Sequence, residues 1–123
     1  MKFPFTNPNE LYNLIWDAQT DNRLTHIFDM HSLDIQLPIC ECADGWRVSI
    51  QAGSMFYSVP RETNAGEYLG FELGYPTAEE PLLMDYAEDP EKPLDTVYPF
   101  VPTELIEEAL KKHGGVIGLS MTW

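Results

Sequence analysis

Proline placement constrains this chain more than any other feature. Four prolines, Pro76, Pro81, Pro90 and Pro93, fall within one short stretch. Proline removes a backbone donor and clashes with the preceding helical turn, so no long helix can run through that stretch. Ten prolines and eight glycines in 123 residues predict short elements and many turns. Helices are confined to what lies outside.

The first helical window opens at Asn7-Pro8-Asn9-Glu10. Asn7 can cap, Pro8 suits the first helical position, and Glu10 stands where a capping-box carboxylate would. Leu11, Leu14, Ile15 and Ala18 follow at helical spacing, with Tyr12 and Trp16 as an adjacent pair. A helix over about 8–20 is expected, ending at Thr20-Asp21-Asn22-Arg23. The second window opens at Pro102 or Thr103. Leu105, Ile106, Ala109 and Leu110 line one face, with Glu104, Glu107 and Glu108 early and Lys111, Lys112 and His113 late. That order of charge matches the helix dipole, and Gly114-Gly115 is a stop.

Between the helices the pattern changes to period two. Leu33, Ile35, Leu37 and Ile39 alternate with polar residues, and Pro38 places that strand at an edge or ends it. Ala43-Asp44-Gly45 is a turn. From Trp46 to Tyr75 the chain predicts an antiparallel meander. Trp46, Val48, Ile50 and Ala52 share one face, against Arg47, Ser49 and Gln51 on the other. Met55, Tyr57 and Val59 mark a second strand, and Leu69, Phe71, Leu73 and Tyr75 a third. Leu82-Leu83-Met84 is a short strand or an apolar anchor, Thr96-Val97-Tyr98 a strand edge, and Val116–Trp123 a final strand. The expected fold class is α+β in one domain, 1–123: an antiparallel sheet of about four to six strands with an N-terminal and a C-terminal helix packed on it. A chain of this length buries roughly two-thirds of its unfolded surface and needs no metal or disulfide to hold its core.

The charge is lopsided. Residues 1–61 carry seven acids against four bases, and residues 62–123 carry thirteen against three. The densest run, Glu79 to Asp95, holds Glu79, Glu80, Asp85, Glu88, Asp89, Glu91 and Asp95, with Lys92 as its one base. Solubility alone is the plain explanation of such acid; its clustering is the reason to look further. A net charge of −13 opposes direct nucleic-acid binding and anionic membranes, and it favours basic protein surfaces. Duplex DNA carries about one charge per 1.7 Å of axis. Alternate strand residues set side chains about 6.7 Å apart, and adjacent acids in loops are denser. Carboxylates so arranged can occupy a groove lined with Lys and Arg. Tyr68, Tyr75, Tyr86, Tyr98 and Phe100 lie near or within the acidic half, and tyrosine is favoured at binding hot spots.

Catalytic signals are thin. No Gly-x-Ser-x-Gly elbow and no phosphate loop occurs, and no sequence feature sets a nucleophile beside His26, His31 or His113. Carboxylate pairs such as Glu88 and Asp89 are neighbours in sequence, and neighbours diverge. Cys40 and Cys42, one residue apart, are too close for the usual zinc knuckle and for an unstrained disulfide. No cofactor, metal site or catalytic residue is expected. Free thiols fit a reducing cytoplasm. No run of apolar residues is long enough to span a membrane, and the first residues do not read as a signal peptide.

A small, acidic, tyrosine-bearing chain with no catalytic motif resembles the inhibitors carried by phages and mobile elements, the anti-CRISPR proteins and other DNA mimics. The resemblance is one of size and charge, and the segments that carry it are Glu79 to Asp95 and Glu62 to Glu72. It implies stoichiometric inhibition of a CRISPR effector or nuclease by blocking its basic groove. The expected partner-binding residues are Glu62, Glu67, Glu72, Glu79, Glu80, Asp85, Tyr86, Glu88, Asp89, Glu91 and Asp95. Three alternatives stay open: an immunity protein against a basic nuclease toxin, a small enzyme or metal-binding domain using His26, Asp29, His31, Cys40 and Cys42, or a structural phage-type subunit that buries strand edges in a homo-oligomer.

Overall fold

Asn7 caps the first helix as its position predicts. Its Oδ1 accepts from the Asn9 N–H at 2.9 Å and the Glu10 N–H at 3.4 Å. Helix α1 spans Pro8–Gln19 in a computed structural model that describes residues 3–19 and 37–120. Leu11, Tyr12, Ile15 and Trp16 are buried, so both apolar pairs face the core. Five strands follow: β1 Ile39–Cys42, β2 Arg47–Gln51, β3 Gly70–Gly74, β4 Val97–Pro102 and β5 Val116–Ser120. They form one antiparallel sheet in the order β4-β3-β2-β1-β5. Helix α2, Thr103–Lys112, is the connection from one outer strand, β4, to the other, β5. The fold is α+β, as the periodicities predict. No helix among the described residues is long and apolar enough to cross a membrane.

The inner face of the sheet carries Cys40, Cys42, Val48, Ile50, Phe71, Leu73, Tyr98, Val101 and Val116, all buried in one cluster with the apolar faces of α1 and α2. The two helices touch each other over it. On α2 these residues are Ile106, Ala109 and Leu110. Tyr12 of α1 meets the rings of Tyr68 and Phe71 edge-on. Fully burying one large apolar side chain contributes about 1.5–3 kcal/mol, so this cluster is the main source of stability. Both cysteine thiols are free and buried. Burial first, and nearby negative groups second, push each thiol up to about 12. They pack as small apolar side chains.

At the end of α2 the backbone turns through Gly114 and Gly115, at φ +88° and +82°. A Cβ at Gly115 would lie 2.6 Å from the Pro4 Cβ, and one at Gly114 2.8 Å from the Ala43 Cβ. Glycine is required there by conformation and by space.

Several expectations need correction. Of the strand expected over Leu33 to Ile39, the described part begins at Ile39, after Pro38, and it lies between β2 and β5 inside the sheet rather than at an edge. Residues 33–36 lie outside the described residues, as do His26, Asp29 and His31. Met55 to Val59 is not a strand. Ser58 folds it on itself: its hydroxyl accepts from the Gly53 N–H at 3.1 Å and donates to the Pro60 carbonyl at 2.9 Å. Such local side-chain bonds compete with a sheet ladder, and only Val59 forms an isolated bridge, to Gly70. Leu69 and Tyr75, expected in one strand with Phe71 and Leu73, instead flank β3 and are 65% and 44% exposed. Leu82-Leu83-Met84 is the apolar anchor rather than a strand: it belongs to a 3-10 helix, Pro81–Tyr86, held by buried Leu83.

Candidate protein-binding surface

The acidic run from Glu79 to Asp95 is held down at many points. Its 3-10 helix packs on β4 and α2. Beyond that helix, the Glu88 N–H donates to the Val97 carbonyl at 3.0 Å and the Asp89 N–H to the Thr96 hydroxyl at 3.1 Å. Two tight turns follow, Lys92 N–H to the Asp89 carbonyl and Asp95 N–H to the Lys92 carbonyl, each at 3.0 Å. The buried Tyr98 hydroxyl donates to the Pro93 carbonyl at 2.6 Å. Burial, then the charge of Glu79, raises the pKa of that hydroxyl. Glu79, Asp85, Glu88, Glu91 and Asp95 are left exposed. Among the described residues, none of these five carboxylates takes an ion pair. Asp89 is half-buried, and its Oδ1 accepts from the Glu91 N–H at 3.1 Å. Tyr86 is half-buried against the core and offers only part of its ring.

Glu80 does not belong to that surface. It is 2% exposed. One carboxylate oxygen accepts from the Leu82 N–H at 2.8 Å and caps the 3-10 helix; the other lies 2.8 Å from the His113 Nε2, and Lys112 Nζ stands 3.0 Å away. Burial alone would raise this carboxyl. The Leu82 N–H, Lys112 and His113 outweigh it and hold Glu80 below the ordinary carboxylate value. The other ring nitrogen of His113 meets Asp44, and Trp46 stacks on the imidazole at 4.3 Å between centroids. The Trp46 N–H and then His113 hold Asp44 below its usual range. The Trp46 indole N–H reaches the Ala78 carbonyl at 2.9 Å. This cluster ties the β1–β2 turn, the end of α2 and the start of the acidic run together. Its bonds are spent on one another, which makes it a clamp.

Glu62 and Glu67 sit elsewhere, on the loop before β3, and both are exposed. That loop is fixed to α1 by neutral groups. Asn9 Oδ1 accepts from the Tyr68 N–H at 2.7 Å and its Nδ2 donates to the Tyr68 carbonyl at 2.8 Å. Asn13 donates to the Gly66 carbonyl at 2.9 Å, and the buried Tyr68 hydroxyl donates to the Glu62 carbonyl. Glu72 occupies a third place. It is on β3, facing away from the helices, half-buried, with Oε1 accepting from the Tyr57 N–H at 3.1 Å. The expected acids therefore fall into three groups rather than one strip. Of the five aromatics near them, Tyr68 and Tyr98 are core, whereas Tyr75 and Phe100 are exposed.

Three of the five described bases pair with acids. Among the described residues, Lys111 pairs with Glu107 at 3.0 Å, Lys112 with Glu80, and Arg47 approaches Glu41 at 3.7 Å. The Arg61 guanidinium lies 5.1 Å from the centroid of the Tyr57 ring. Among the described residues no group of three potential metal ligands occurs. The Asp44–His113–Glu80 cluster was not readable in sequence, because its members lie 33 and 69 positions apart and each has an ordinary local explanation. No protein-family model, no curated protein and no solved structure matches this chain.

Proposed function

We propose that this chain is a non-enzymatic acidic binding protein that occludes the basic surface of a nucleic-acid-binding effector, in the manner of anti-CRISPR and other DNA-mimic inhibitors. One observation carries the reading: Glu79, Asp85, Glu88, Glu91 and Asp95 stand exposed, without ion pairs among the described residues, on a backbone pinned to β4 and α2. A pinned backbone has little freedom left to lose on docking, and pre-organisation of this kind favours affinity. Glu62 and Glu67 extend the negative field from a second, equally anchored loop. Two unbridged cysteines suit action in the cytoplasm.

Capture of partners on the immobilised protein, followed by competition with duplex DNA, tests this. A basic nucleic-acid-binding protein is expected on the matrix, released by duplex DNA and by raised salt. Reversal of four acids together (Glu79→Lys, Asp85→Lys, Glu88→Lys and Glu91→Lys) should weaken binding about a hundredfold or more, roughly 2.7 kcal/mol, with the unfolding midpoint retained. Unchanged affinity in that variant, or a partner that DNA does not displace, overturns the reading.

A further inference from the structure

The outer face of the sheet, away from both helices, holds an open cavity of about 230 Å³. This is below the roughly 300–1,000 Å³ of pockets that enclose whole drug-sized molecules, and it is the scale of one long side chain. Its lining is specific. Glu72 brings a carboxylate, Phe56 and Tyr75 bring two aromatic rings, and Ile39 and Val97 bring aliphatic walls. The floor is rigid at Gln51, whose carboxamide accepts from the Leu37 N–H at 2.8 Å and donates to the Leu37 carbonyl at 3.0 Å.

Three observations assign an occupant. First, no cation stands within ion-pair distance of Glu72 among the described residues; the Tyr57 N–H occupies Oε1 and leaves the second oxygen without a hydrogen-bond partner. Second, Tyr75 holds a left-handed backbone, φ +52°, fixed by its N–H on the Thr96 carbonyl at 3.1 Å. A bulky residue in that region is strained, and such strain concentrates where a side chain must be presented. Tyr75 lines the cavity while remaining 44% exposed. Third, the chain already makes the matching contact once, with Arg61 over the neighbouring Tyr57.

From these we infer that the cavity receives an arginine side chain of the basic partner. A guanidinium stacks on aromatic faces and pairs with a carboxylate in one planar group, and its stem suits aliphatic walls. The inference deepens the proposed function and rests on it for the identity of the partner, though not for the chemistry of the cavity.

The probe is N-acetyl-arginine amide, followed by the methyl resonances of Ile39 and Val97. Saturable shifts are expected, about tenfold weaker for the neutral citrulline analogue and for the Glu72→Gln variant, which keeps an acceptor for the Tyr57 N–H. The fourfold reversal at Glu79, Asp85, Glu88 and Glu91 should keep the shifts within about threefold, because none of those four residues lines the cavity. Equal binding of citrulline, or undiminished binding by Glu72→Gln, overturns the inference. So does loss of the shifts in the fourfold variant alone, which would assign the arginine to the acidic run and leave the proposed function standing. Retained shifts beside a partner indifferent to the fourfold reversal would instead remove the proposed function and leave the cavity.

Discussion

Two acidic loops on this molecule are both held by neutral hydrogen bonds, and an ionic clamp is added at the start of one. The loop of Glu62 and Glu67 is held by amides and a phenol: Asn9 pairs with both backbone groups of Tyr68, and Asn13 and Tyr68 secure its flanks. The run from Glu79 to Asp95 is held at its start by charge, through Glu80 on Lys112 and His113. The first fastening is indifferent to protons between neutral and acid pH, and the second is not. A chain rich in acid can therefore display carboxylates on a neutral mount or on one with an ionic clamp added, and the mount decides what unfastens the display.

The largest expected effect is at the ionic mount. Glu80→Ala leaves His113 and Lys112 without their partner and the 3-10 helix without its cap, and should destabilise the fold by about 3 kcal/mol in urea unfolding. A loss below 1 kcal/mol would mean that the clamp holds nothing. Acid comes next. The carboxyls of Asp44 and Glu80 are held below their ordinary values, so the unfolded chain takes up protons first as pH falls. Their stabilisation is complete above about pH 4 to 5 and is lost as pH falls through the folded values. Asp44 is half-exposed, so Glu80 should carry more of the loss. A Glu80→Gln variant should show a shallower decline of stability as pH falls below about 4; a decline as steep as in the parent would remove Glu80 as its source.

At the neutral mount, Asn9→Ala should cost about 1–2 kcal/mol, equally at pH 7 and at about pH 4. A cost that changes with pH would erase the contrast between the two loops. Smallest is Glu79→Ala, beside the clamp but exposed, which should stay within about 0.5 kcal/mol of the parent by the same measurement. A larger loss would show that the displayed acids also support the fold.

Local rules carried much of this architecture. Asn7 and Pro8 mark the start of α1, Gly114 and Gly115 end α2, and the alternation of Val48 and Ile50 with Ser49 and Gln51 separates the faces of β2. Each depends on residues near in sequence. What was illegible depends on distant partners. Glu79 and Glu80 are identical in sequence terms; only His113 and Lys112, arriving more than thirty residues later, bury one and leave the other in water. Met55 to Val59 alternates like a strand, but Ser58 ties the flanking Gly53 and Pro60 together and the Tyr57 N–H is spent on the Glu72 side chain. The inward alternation of β3 fails at Tyr75, where a left-handed residue turns the chain before the period can continue. The outer-face cavity combines Phe56, Glu72, Tyr75 and Val97 from separate stretches, so no motif announces it.

The strand order carries a consequence for synthesis. β1 pairs with β2 almost at once, across the turn at Asp44, but its other edge waits for β5, whose Ser120 meets Ile39 about eighty residues later. Loop closure over such a span is slow, and a chain leaving the ribosome carries β1 with one flank open until α2 has swung across the sheet. That open flank is a place where a nascent strand of another copy can add in error. Negative charge accumulated before β5 emerges, in the thirteen acids from Glu62 to Glu108, keeps such copies apart. The same carboxylates thus guard the chain during its making as well as on the folded surface.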